Sequence, residues 1–416
     1  MTPRVVVVVC PHFEPDTAPT GVVMTRLVHE LADRGHRVHV VTALPWYREH
    51  RVDSRWANVR WRNRTETTRW GSITRLQPFA GSDRRNLVRR ALGFVGFSFL
   101  ATVAGVRAGR HSEGRRPDVV IAMSPPLTLG LAGWIVARCR RVPLIFNVQD
   151  VFPDAAVATG AITNRWVIGA SRLLEKFVYR RSAAITVLSD ELADNVRGKL
   201  PTRARNRVET IPNFVDTAAI VPTDRSTGYR RELGLDDRPV VMYAGNVGFS
   251  QSLDLLVAAA RALPEIWFVI NGGGSALESV RGAASDLSNV VFGDFQPSER
   301  LSEVLATGDV HVVPLKRGLG AVSVPSKTYS IMAAGRPIVA AIDEGTEVRR
   351  LIERSGGGIA VPPDDAEAFV TALRTLVSDP ARATAMGVAS RRLVEGEASP
   401  SAVAAAYVDL IDRARR

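Results

Sequence analysis

Five consecutive valines, Val5–Val9, constrain this chain more than any other feature. A β-branched run without polar alternation has no face to offer water, so it must be a strand covered on both sides, as in a parallel sheet packed between helices. The flanking pattern agrees. After a loop with Pro15, Pro19 and Gly21, the apolar spacing of Val23, Leu27 and Leu31 predicts a helix that stops at Gly35, followed by a strand at Val38–Thr42. Further strands are expected at Val119–Met123, Leu144–Val148 and Ala184–Leu188, each far enough from the last for a crossover helix.

At Ile211-Pro212-Asn213 the pattern breaks, and a polar stretch with Pro222, Asp224, Arg225 and Gly228 separates it from a second series of strands. These are expected at Val240–Ala244, Trp267–Asn271, Val290–Phe292, Val310–Pro314 and Pro337–Ala341. A chain of 416 residues exceeds what one hydrophobic core holds. The expected class is therefore α/β, with two Rossmann-like doubly wound domains facing a cleft. The expected boundaries are 1–212, 213–398 and a C-terminal helix, 399–416, packing back toward the N-terminal domain. Ligands of open α/β sheets bind beyond the carboxyl ends of the strands, so the loops after Val9, Val148, Ala244, Asn271 and Pro314 are where chemistry is expected.

Charge narrows the partners. The formal net charge of +12 calls for something anionic. Eight arginines and one acid lie between Arg84 and Arg116, around an uncharged, mostly apolar run of 16 residues after Arg90. That run is short of the roughly 20 residues needed to span a bilayer. It suits an interfacial segment on an anionic membrane surface, or else a buried helix with arginine flanks. A second basic stretch interleaves Arg48, Arg51, Arg55, Arg60, Arg62 and Arg64 with Trp46, Tyr47, Trp56 and Trp61. No helix-turn-helix, zinc-finger or RNA-recognition pattern accompanies the arginines, so no nucleic acid partner is expected. Two cysteines, Cys10 and Cys139, make neither a disulfide framework nor a cysteine-based metal site. With no basic leader before the first apolar run, a cytoplasmic protein is expected, peripherally associated with the inner face of the plasma membrane.

Several residues fall where an anionic ligand would be held. Gly245 and Gly248 follow a strand and precede a helix beginning near Leu253, offering backbone amides and a positive dipole end. Lys316, Arg317 and the Gly318-Leu319-Gly320 turn come directly after the strand ending at Pro314. Lys327 opens a helix in the segment Val324-Pro325-Ser326-Lys327, where an ammonium would meet an anionic group of a ligand. Asp150 stands just beyond a strand and suits either a hydroxyl contact or a helix cap. Glu14 and Asp154 are lesser hydroxyl-binding candidates.

Taken in order, several segments resemble the retaining glycosyltransferases of family 4, which have the GT-B fold, and in particular the colanic-acid-type fucosyltransferase branch. They are the Gly21 loop, Arg34-Gly35-His36-Arg37-Val38, Pro117-Asp118-Val119-Val120, Gln149-Asp150-Val151-Phe152-Pro153, Ile211-Pro212-Asn213, Tyr243-Ala244-Gly245-Asn246-Val247-Gly248, and Pro325-Ser326-Lys327 with Ala334-Gly335-Arg336-Pro337. The resemblance implies a bacterial enzyme that moves a hexosyl or deoxyhexosyl unit from a nucleotide diphosphate sugar to a lipid-linked or glycolipid acceptor, without a metal or other cofactor. It places the donor in the second domain and the acceptor, with Gly21, in the first. It implies donor contacts for Gly272 and Gly274 in a Gly-x-Gly turn and for Phe295 against the base. Ser330 stands where many members carry a glutamate, Asn246 and Gln251 stand for the usual Arg and Lys, and Gln149 replaces a common histidine. Alternatives of the same architecture are a sugar-nucleotide 2-epimerase and a non-catalytic descendant. An oxidoreductase is disfavoured, because no close Gly-x-Gly-x-x-Gly turn follows Val9.

Overall fold

The computed structural model describes residues 2–47, 51–56, 64–79, 87–109, 116–158, 162–248, 250–318 and 327–415. The chain divides into two compact units, Met1–Pro212 together with Val403–Arg416, and Asn213–Ala402.

Among the described residues, the first unit is built on eight strands: β1 (Val5–Val9), β2 (Arg37–Ala43), β3 (Arg64–Thr68), β4 (Gly71–Leu76), β5 (Val119–Ser124), β6 (Leu144–Val148), β7 (Ala184–Val187) and β8 (Val208–Thr210). Their order is β3-β4-β2-β1-β5-β6-β7-β8. β1 pairs in parallel with β2 on one side, Val5 opposite Arg37, and with β5 on the other, Val6 opposite Val119. All five valines are buried, which the absence of any polar residue in the run requires. At about 1.5–3 kcal/mol for each fully buried valine, this strand is a principal source of the unit's stability. Among the described strands, only β3 runs antiparallel, against β4.

Gly21 lies inside a helix, Pro19–Asp33, and not in a loop as its neighbouring prolines suggest. Pro19 is the reason: in the first helical turn its missing N–H costs nothing, so it starts the helix two residues before the glycine. The apolar run after Arg90 is also helical, within Leu87–Arg107. Phe97, Ala101 and Ala104 join the core with Leu129, Ala132 and Val136 of the helix Thr128–Arg140, while Leu92, Val95 and Phe99 remain exposed. Among the described residues, no helix is long and apolar enough to cross a membrane. The helix Pro400–Ala414 ends the chain, and its Tyr407 is buried in the first unit. The Tyr407 hydroxyl lies 2.7 Å from Asn147 Nδ2 on β6 and 3.1 Å from Thr186 Oγ1 on β7.

The second unit is an all-parallel sheet of β9 (Val240–Ala244), β10 (Trp267–Asn271), β11 (Val290–Gly293), β12 (Val310–Pro314), β13 (Ile338–Ala341) and β14 (Gly358–Val361), ordered β11-β10-β9-β12-β13-β14. Both sheets contain a point where the chain, having built outward from its first strand, resumes on that strand's other side. These points lie between β1 and β5 and between β9 and β12, and such points are where open α/β sheets hold ligands.

Candidate donor-binding site

Lys327 is the first residue of the helix Lys327–Ala333, which follows β12. Its ammonium turns back across the switch point to the end of β9. Nζ donates to the Tyr243 hydroxyl at 2.6 Å and stands 3.9 Å from the centroid of the same ring. A Cβ placed on Gly245 would lie 3.2 Å from Nζ, so the ammonium rests directly over the Gly245 turn. No carboxylate pairs with Lys327 among the described residues. Burial without a counter-ion pushes its pKa down from 10.5 to about 8. Burial also pushes the Tyr243 phenol up, so it stays protonated, accepting from Lys327 and donating to the Asn246 carbonyl.

The turn beneath is shaped by a close backbone crossing. Gly272 has φ +132°, and a Cβ there would stand 2.0 Å from the Gly245 carbonyl oxygen, so only glycine fits where the two loops touch. That same crossing corrects the expected phosphate cradle. The Gly245 N–H donates to the Asn271 carbonyl at 2.9 Å, Val247 N–H to Gly273 at 2.9 Å, and Gly248 N–H to Gln251 Oε1 at 2.9 Å. Amides that a glycine-rich sequence makes look open are already satisfied by neighbouring loops. Gln251 thus acts first as the tie that closes the turn.

Phe295 is 62% exposed, with its ring beside Gly273, an open aromatic surface next to the Gly272–Gly274 turn. Asn246 lies between Gly245 and Gly248, its side-chain amide against the latter. Ser330 follows Lys327 by three residues on the same helix and is partly exposed. Lys316 is exposed, and its N–H is held by the Ser250 carbonyl at 3.0 Å. Arg317 is turned away to the Pro363 carbonyl at 2.9 Å and Asp364 at 3.8 Å, and the Gly318 N–H donates to Asp343 at 2.6 Å. Of the two expected cations after β12, Lys316 is the one with no acid beside it among the described residues. Gly320 and Ser326 lie outside the described residues.

The first-domain candidates have separate fates. Gln149 is buried and donates to Asn147 Oδ1 at 2.8 Å, which makes it part of the network around Tyr407. Asp150, next in sequence, is exposed, and crowding by surrounding protein raises its carboxyl pKa. It does not cap the following helix, Asp154–Ala158, which starts four residues later. Asp154 is tied to Lys199 at 2.7 Å, so it is not an open hydroxyl acceptor. Glu14 receives His29 Nε2 at 3.0 Å, and its N–H is held by Thr25 Oγ1 at 2.9 Å. Reasoning from sequence missed Tyr243, whose position in a buried strand reads as core. It also missed the pairing of His12 with Asp16, at 2.7 Å. Among the described residues, no group of three or more His, Cys, Asp or Glu is gathered to hold a metal ion.

Two family models match the chain: a glycosyl transferase 4-like domain over residues 20–213 and a glycosyl transferases group 1 domain over residues 238–379. The chain is 25% identical over 398 residues to the putative colanic acid biosynthesis glycosyl transferase WcaI of Escherichia coli, spanning 93% of this chain and 95% of that one. It is 34% identical over 200 residues to the GDP-mannose-dependent alpha-(1-6)-phosphatidylinositol monomannoside mannosyltransferase of Mycolicibacterium smegmatis, spanning 44% of this chain and 50% of that one. Among solved structures, the Anabaena protein HepE in complex with UDP superposes with a TM-score of 0.67 at 12% identity, over 98% of this chain and 99% of that one.

Proposed function

We infer, from the premise that this chain belongs to the family 4 glycosyltransferases of GT-B fold, that it moves a hexosyl or deoxyhexosyl unit with retention of configuration from a nucleotide diphosphate sugar to a lipid-linked or glycolipid hydroxyl. The observation that carries the donor assignment is Lys327, a half-buried ammonium that has no acid beside it among the described residues and lies at a switch point. A cation so placed is disfavoured by its surroundings until an anion arrives, and the diphosphate of a nucleotide sugar supplies that charge.

In the reaction the bond between the anomeric carbon and the diphosphate oxygen breaks, and a bond forms from that carbon to the acceptor oxygen. The acceptor proton passes to the leaving phosphate oxygen on the same face of the sugar. Lys327 neutralises the growing charge on the diphosphate, Lys316 adds a second cation, and Phe295 receives the nucleobase on its exposed ring. Ser330 and Asn246 meet donor hydroxyls or phosphate oxygens, and Asp150 holds a sugar hydroxyl. No step calls for a metal. The names of the relatives favour an acceptor in cell-surface polysaccharide or glycolipid synthesis. An anionic membrane surface would be met by the exposed Leu92, Val95 and Phe99 of the helix Leu87–Arg107. Failure of the protein to sediment with anionic vesicles at low salt would remove the membrane part of this reading.

The test of the donor site is a thermal-shift panel of GDP, UDP, dTDP and ADP with the wild type and Lys327→Ala. Binding to the folded state raises the melting temperature by mass action. One nucleotide should raise it, and the variant should lose most of that rise. A panel without any shift would leave a non-catalytic member of the fold.

A further inference from the structure

The first unit carries a polar constellation at its own switch point that the donor assignment does not use. β1 ends at Val9, between β2 and β5, and the loop beyond it brings His12 against Asp16. His12 Nδ1 and Asp16 Oδ2 are 2.7 Å apart. Asp16 is buried and also accepts the N–H groups of Trp46 at 3.4 Å and Tyr47 at 3.3 Å. The Trp46 ring stacks on His12 with centroids 5.3 Å apart, and Tyr47 meets the imidazole edge-on at 5.5 Å. From the other side the helix Pro19–Asp33 presses close, since a Cβ on Gly21 would stand 2.8 Å from His12 Cβ.

This arrangement fixes a chemistry. In the neutral tautomer that donates Nδ1–H to Asp16, the imidazole carries its lone pair on Nε2. That atom has no hydrogen-bond partner among the described residues, and the side chain keeps 11% exposure. A buried carboxylate is costly to maintain, and stability alone is served as well by an apolar pair in place of both His12 and Asp16. Tyr47, 40% exposed beside it, offers an aromatic surface to the apolar face of a sugar or polyol ring.

We propose that His12, oriented by Asp16 and bracketed by Trp46 and Tyr47, binds the acceptor: Nε2 accepts a hydrogen bond from an acceptor hydroxyl other than the one that reacts, and Tyr47 stacks on the ring that bears it. The proposal rests on the glycosyl-transfer reading and deepens its acceptor side. It also gives Gly21 a role, since a larger residue there would displace the imidazole.

The experiment uses the full chain with the nucleotide sugar picked out by the thermal-shift panel, and a bacterial membrane lipid extract as acceptor. Wild type, His12→Phe, His12→Gln and Tyr47→Ala are compared. His12→Phe should leave the nucleotide-induced thermal shift in place and lower kcat/KM for the acceptor roughly tenfold, the loss expected for one hydrogen bond. The effect should fall mainly on acceptor KM. His12→Gln, which keeps an acceptor oxygen, should recover part of it. Tyr47→Ala, at an exposed position, should raise acceptor KM without touching the shift, and it carries the test if His12→Phe does not fold. Acceptor kcat/KM within twofold of wild type in both His12→Phe and Tyr47→Ala would overturn the proposal, as would loss of the nucleotide shift along with transfer. If the wild type itself consumes no nucleotide sugar, the glycosyl-transfer reading fails first and takes the proposal with it.

Discussion

Replacing Lys327 by methionine should make the protein more stable while abolishing its function. The displacement of the ammonium from 10.5 to about 8 corresponds, at about 1.4 kcal/mol for each factor of ten in proton affinity, to about 3 kcal/mol by which the surroundings disfavour the charged form. Methionine keeps the length of the side chain and removes the charge. Against the gain stands the lost contact with Tyr243, a hydrogen bond and a ring contact together worth about 1–2 kcal/mol. A net stabilisation of about 1–2 kcal/mol is expected at pH 7, seen as a higher urea midpoint of the full chain. The pH dependence fixes the cause. Because the folded-state pKa lies below the unfolded one, the penalty is complete below about pH 8, shrinks as pH rises, and is gone above about 10.5. The wild type should therefore gain on the variant between those limits. A variant less stable than wild type at pH 7, or a gap that does not change up to pH 10, would refute the claim that the ammonium is held at a cost.

Other consequences follow from the same contacts. Gly272→Ala would drive a Cβ to 2.0 Å from the Gly245 carbonyl oxygen in a left-handed backbone, so a loss of about 3 kcal/mol or more in urea unfolding is expected, with the nucleotide shift lost too. Tyr407→Phe removes the hydroxyl shared by Asn147 and Thr186 in a fully buried site, and should cost about 1–3 kcal/mol by thermal melting. Gly21→Ala should cost about 1–3 kcal/mol and depress acceptor turnover, because the crowded atom is His12 Cβ rather than the tip of a flexible chain.

What the sequence made legible was whatever depends on burial period alone. Val5–Val9, Leu144–Val148, Val240–Ala244, Trp267–Asn271 and Val310–Pro314 are strands at the expected bounds, because each is an apolar run buried on both faces. The antiparallel β3 was not visible, since Arg64-Thr65-Glu66-Thr67-Thr68 is a largely exposed edge whose pairing comes from β4 and not from hydrophobic pattern. The four-residue β14 opens on glycine and is only partly buried, which leaves the same silence. Lys327 could be singled out because the residues opening a helix after a strand have a predictable place. Its partner Tyr243 could not, for an inward tyrosine on a buried strand has the same pattern whether or not its hydroxyl meets a cation. The amides of Gly245 and Gly248 were misread for a related reason. Whether an N–H is free depends on the carbonyl that a neighbouring loop brings to it, and the Asn271 carbonyl arrives from a different strand.

Charge shows the same division more sharply. Fifty-four basic and 42 acidic residues sum to a surplus that says only that an anion is welcome somewhere. In the folded chain several arginines are solvated with acids beside them, pairs that carry little free energy. The informative charges are those whose surroundings disagree with them. Lys327 is half-buried without an acid beside it among the described residues, the setting that the proposed donor site gives to a negative ligand. Asp16 is buried with a histidine and two backbone amides to hold it, so its charge is already met, and the tautomer with Nδ1–H leaves His12 Nε2 to accept a hydrogen bond. On the proposed reading, one switch point takes a diphosphate and the other a hydroxyl. Those are the two groups a glycosyl transfer must accommodate, and the difference between them lies in pairing, which no count of residues contains.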